Sequence, residues 1–69
     1  MIVKSAITGL VREILVAVGQ EVGVGEELLT IESMKMEIPV ESPQAGRVRS
    51  ILVALGASVE EGESLVELE

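Results

Sequence analysis

The chain repeats itself. Shifted by 37 residues, Gly9–Glu32 lies over Gly46–Glu69, and 13 of the 24 aligned positions are identical. The identities include Gly9/Gly46, Arg12/Arg49, Gly19/Gly56, Val22/Val59, Gly25/Gly62 and Glu32/Glu69. Each unit is too short to bury an apolar face alone, so the two are expected to pack together about a pseudo-twofold axis. The 69 residues then read as one domain, 1–69, built from repeats 9–32 and 46–69.

Both units carry β signals. Val11–Val18 and Val48–Leu55 are rich in β-branched residues, which favour extended backbone. Their alternation is broken by the apolar runs Ile14-Leu15-Val16 and Ile51-Leu52-Val53. Either both faces are buried or a bulge resets the register. Gly19, Val22, Gly25 and Leu28 then recur every third residue, as do their copies. Two glycines in seven residues would cost a helix about 1 kcal/mol each, whereas tight turns accept them. Two turns bracketing a very short strand are expected, with Val22 and Val59 pointing inward. The fold class is all-β, with helix content close to nil.

Between the units, Ser33–Glu41 has no clear copy. From Met36 the alternation is clean, with Met36, Ile38 and Val40 facing one way and Glu37, Pro39 and Glu41 the other. That is a half-buried strand, and Pro39, lacking a donor, either places it at a sheet edge or has its nitrogen turned outward. Thr30-Ile31-Glu32 forms the incoming strand and Ser33–Lys35 the connection. Under the twofold, the chain termini occupy the place equivalent to this hairpin. Lys35 should therefore protrude at one end, with Met1 and Glu69 near the other.

Composition narrows the function. With no cysteine or histidine, the chain offers no disulfide, thiolate metal site, thiol nucleophile or imidazole base. An autonomous enzyme is not expected. Twelve Glu against five Lys/Arg give a net charge of -7, which repels nucleic acid and anionic membrane surfaces and suits docking to basic partners. No uncharged run approaches the ~20 residues of a bilayer span, and no signal peptide opens the sequence. A cytoplasmic protein, free-standing or part of a larger chain, is expected. Lys35, between Met34 and Met36, is the candidate site. A protruding amine is not desolvated, which argues against Schiff-base catalysis but leaves it open to acylation by an enzyme that supplies the activation.

Glu32-Ser33-Met34-Lys35-Met36-Glu37 resembles the attachment motif of biotinyl domains, the biotin carboxyl carrier protein family, which commonly reads Glu-Ala-Met-Lys-Met. The resemblance covers essentially the whole chain. Gly9-Leu10-Val11, the two glycine-spaced segments and Ser42–Val48 all have counterparts. It implies a flattened β-barrel of two four-stranded antiparallel sheets with quasi-twofold symmetry, a barrel-sandwich hybrid. The modified lysine sits on the hairpin 32–37 between the fourth and fifth strands. It further implies biotin amide-linked to Lys35 by a biotin protein ligase, by way of biotinyl-AMP. A biotin carboxylase would load a carboxyl group, and a carboxyltransferase would pass it to an acyl-CoA, as in acetyl-CoA carboxylase, or to a 2-oxoacid.

Met34 and Met36 map onto the family's flanking methionines, associated with carboxylation and recognition. Glu32, Ser33 and Glu37 fall where ligase or partner recognition is expected. At least one methionine is expected to be partly buried, Met36 sharing the face of Ile38 and Val40. Ser33 replaces the common alanine, the first opening segment lacks its usual proline, and no inserted "thumb" is present. Lipoyl domains share this fold, but their motif more often reads Asp-Lys-Ala, so the methionines favour biotin over lipoate. An unmodified β-barrel binding module is the third reading.

Overall fold

The computed structural model describes residues 1–69 and contains eight strands and no helix. They are β1 (Ile2–Lys4), β2 (Gly9–Ile14), β3 (Glu21–Val22), β4 (Glu27–Ser33), β5 (Met36–Glu41), β6 (Gly46–Ile51), β7 (Ser58–Val59) and β8 (Ser64–Leu68). They form two four-stranded antiparallel sheets, ordered β1-β8-β6-β3 and β5-β4-β2-β7.

Adding 37 to a residue number converts one sheet into the other, and the hydrogen bonds follow suit. Gly19 N donates to Val48 O at 2.8 Å, and Gly56 N to Val11 O at 2.8 Å. Gly25 N donates to Ser42 O and Gly62 N to Ser5 O, at 2.8 and 2.7 Å. The buried Ser5 and Ser42 hydroxyls each donate to the carbonyl two residues on, Ile7 and Gln44, at 2.5 Å. All four of these turn glycines have positive φ, from 82° to 93°, where a Cβ is disfavoured. The three-residue spacing thus marks turns, and Val22 and Val59 between them are buried.

Twelve buried aliphatic side chains make the core, drawn from both halves; Leu28, Leu29, Ile31, Leu65, Val66 and Leu68 are fully enclosed. Without aromatics, closure rests on these branched chains, each contributing about 1.5–3 kcal/mol on burial.

The ambiguous apolar runs resolve as bulges. Strands β2 and β6 end at Ile14 and Ile51, not at Val18 and Leu55. Pairing with β4 and β8 shifts register at Val11/Glu13 and Val48/Ser50. The extra residues are Arg12 and Arg49, so the alternation resets and Leu15 and Leu52 turn outward. Strand β5 is an edge strand, the first of the two arrangements that Pro39 allows. Its counterpart under the 37-residue shift is β1, although only Val3/Val40 match within those strands.

Leu68 N donates to Met1 O at 2.7 Å and the Met1 amino group to Leu68 O at 2.8 Å. This pair is the counterpart of Ile31 and Ile38 at the hairpin. Strand β1 leads from Met1 towards Gly9-Leu10, which lies against Glu32 at the hairpin base. The termini therefore sit at the opposite end from Lys35.

Candidate functional site

The hairpin is tighter than the sequence suggested. Ser33 and Met36 pair with each other as the last residues of β4 and β5, so the connection is Met34-Lys35 alone, not Ser33–Lys35. Both turn residues have positive φ, 53° and 67°, the backbone of a type I′ turn that ordinarily selects Asn-Gly. A left-handed side-chain-bearing residue costs roughly 1–2 kcal/mol. The regular β4–β5 pairing below imposes that conformation. The result is a lysine held beyond the end of both strands.

Lys35 is exposed and takes part in none of the three ion pairs of the molecule. Met34 and Met36 are 92% and 61% exposed, which corrects the expectation that one of them would be partly buried. Met36 does share the side of Ile38 and Val40, but it pairs with Ser33 at the last rung of the ladder, beyond the buried core that ends at Ile31.

Glu32 and Glu37 lie directly opposite each other on β4 and β5, a like-charge pair that is unfavourable unless compensated. Each has a separate partner. Arg12 Nη1 lies 3.5 Å from Glu32 Oε1, and the buried Thr30 hydroxyl donates to Glu37 Oε1 at 3.3 Å. In the other half Arg49 instead meets Glu67, at 3.8 Å. Position 30, the copy of Glu67, is threonine, which leaves the Arg12 fork to Glu32. Sequence reasoning missed Arg12 and Thr30; the Thr30/Glu67 departure from the repeat was the available signal. It also missed the closeness of Gly9 to the hairpin base. A Cβ on Gly9 would lie 2.4 Å from Glu32 O and 2.7 Å from Ile31 Cγ2.

These features fit an acyl acceptor. The amine is exposed and unpaired, and soft thioethers stand on either side of it. No group of three or more His, Cys, Asp or Glu side chains could hold a metal ion, and no helix is long and apolar enough to cross a membrane.

A β-sandwich that presents one exposed lysine on a two-residue hairpin has the form of a carrier domain. The family model described as biotin-requiring enzyme, the biotin/lipoyl family, matches residues 1–68, and the chain belongs to that family. Two curated relatives, the biotinylated protein TB7.3 homologues of Mycobacterium leprae and Mycolicibacterium smegmatis, are each 47% identical over 38 residues. That stretch is 55% of this chain and spans about half, 54%, of each relative. Among solved structures, a urea carboxylase from Kluyveromyces lactis superposes with a TM-score of 0.95 at 32% identity. The match covers 100% of this chain and 6% of that one. A single-chain, multi-domain long-chain acyl-CoA carboxylase gives 0.90 at 29% identity, covering 96% and 7%. These 69 residues are thus a biotin/lipoyl-type carrier domain, similar to a small part of each of those two carboxylases.

Proposed function

We propose that residues 1–69 act as one attachment domain, repeats 9–32 and 46–69 forming the body and hairpin 32–37 the arm, with biotin amide-linked to Lys35. The observation that carries this is the Met34-Lys35 turn, which holds an unpaired primary amine beyond both strands. In the acylation, Lys35 Nζ attacks the acyl carbon of a biotinyl–AMP mixed anhydride supplied by a biotin protein ligase. The N–C bond forms, the acyl–oxygen bond to phosphate breaks, AMP departs, and the amine's proton passes to the ligase or solvent. Met34 and Met36 give the ligase and later partners a flexible apolar contact. Glu32, Ser33 and Glu37 present the polar flank of the same surface.

When bound, the ureido ring of biotin accepts and releases a carboxyl group. The domain contributes position. A tip at one end and termini at the other let Lys35 enter a biotin carboxylase and then a carboxyltransferase acting on an acyl-CoA or 2-oxoacid, at high effective concentration. The net charge of -7 favours docking to basic surfaces around those active sites. A cytoplasmic setting, where such ligases and carboxylases would meet it, completes the reading.

Intact mass after coexpression with biotin ligase, and separately with lipoyl ligase, tests it. The expected result is one biotin increment, placed on Lys35 by fragmentation and abolished by Lys35→Arg. An increment on Lys4, or one from the lipoyl ligase alone, would overturn the assignment.

A further inference from the structure

Between the edge strands β1 and β5, where the two sheets approach each other, runs an apolar groove of about 350 Å³. Its lining includes Ala6, Ile7 and Ile38 at one end and Met1, Glu41 and Pro43. Strand β5 leads away from the hairpin and β1 towards it, so the Ala6/Ile7/Ile38 end faces Lys35. Three properties point to one occupant. Ile38 is three residues from Lys35, about 10 Å along a strand at ~3.3 Å per residue. A biotinyl-lysine places its bicyclic ring about eleven bonds from Cα, roughly 14 Å when extended, since a zigzag of ~1.5 Å bonds advances only ~1.25 Å per bond. The exposed Met36, on the same side of β5 as Ile38 and Val40, sets an apolar side chain between the tip and Ile38.

We infer that the groove between β1 and β5 is a resting site for the biotinyl group carried on Lys35, its apolar thiophane side and valeryl chain lying over Met36 and against Ile38, Ala6 and Ile7. This rests on biotin being attached at Lys35. Docking and release involve no covalent change. They shelter apolar surface between visits to partner sites, and only the released fraction of the arm is open to capture.

The test uses the intact chain, biotinylated by coexpressed ligase and checked by mass. Nuclear Overhauser contacts are expected between the biotin ring protons and the methyls of Ile7 and Ile38. Ala6→Glu, a change at an exposed position, should abolish them, with streptavidin capture at least about twofold faster, in proportion to the docked fraction. Ile38→Thr provides a second variant with the same expected loss. A biotinylated chain whose shift changes stay within residues 33–36, and whose capture rate is the same in Ala6→Glu, overturns the resting site alone. A chain that takes no biotin on Lys35 overturns the attachment reading and this inference with it.

Discussion

Gly9 and Gly46 are copies in the repeat, yet they bear different loads. A methyl group on Gly9 would press the Glu32 carbonyl at 2.4 Å, and on Gly46 the Glu69 carbonyl at 3.1 Å. The first distance forces backbone to move, and the second needs only a few tenths of an ångström of relief. Gly9→Ala is therefore expected to destabilise the domain by about 1–3 kcal/mol, in the range of overpacked cores, and Gly46→Ala by less. Chemical denaturation midpoints of the two variants decide this; equal shifts would mean that the hairpin base is softer than it looks. Arg12 and Thr30 work at the same scale. Exposed pairs contribute about 0–1 kcal/mol, so the importance of Arg12–Glu32 lies in separating Glu32 from Glu37 and leaving the amine of Lys35 without a carboxylate partner.

At the scale of elements, the hairpin holds two left-handed residues that are not glycine. Met34→Gly relieves one of them, by roughly 1–2 kcal/mol, against a glycine entropy cost of about 0.5–1 kcal/mol. The expected outcome is a thermal midpoint raised by an equivalent of up to about 1 kcal/mol, with slower biotinylation because the thioether is gone. A lower midpoint would show that the turn is not under strain. Much of this layer was legible in the sequence. Pro39 announced an edge, the glycine spacing announced turns, and Val22 and Val59 were placed inside. A bulge was one of two readings the apolar runs left open, and its place at Arg12 and Arg49 was not legible because a run such as Ile14-Leu15-Val16 has no period to break. Met36 was misjudged for a related reason. Alternation tells which side a residue faces but not how far along the strand the core extends. Strand β1 escaped notice as the copy of β5 because the two keep the same shape with almost no shared residues.

For the whole molecule, the repeat means that one interior is sealed twice in the same manner. Val22 and Val59 each close an equivalent flank, at 5% and 1% exposure. An aspartate at either position buries an unpaired charge. Val22→Asp and Val59→Asp are each expected to cost about 3–5 kcal/mol, much of the roughly 3–10 kcal/mol available at ~0.05–0.15 kcal/mol per residue. Circular dichroism melts should show comparable losses for both. A large loss for one and none for the other would contradict the equivalence of the halves.

The paired termini have a consequence of their own. Met1 and Leu68 exchange hydrogen bonds as Ile31 and Ile38 do across the hairpin, so the backbone is a ring with a single seam, and the seam lies where a second tip would stand. Inserting Ser-Met-Lys-Met-Glu between Glu69 and Met1, and opening the ring in the exposed turn at Gly23-Val24, should give a permuted chain that still folds. Such a chain would carry two lysine tips facing opposite ways. Two biotin increments by mass would show that the body is indifferent to which end bears the arm.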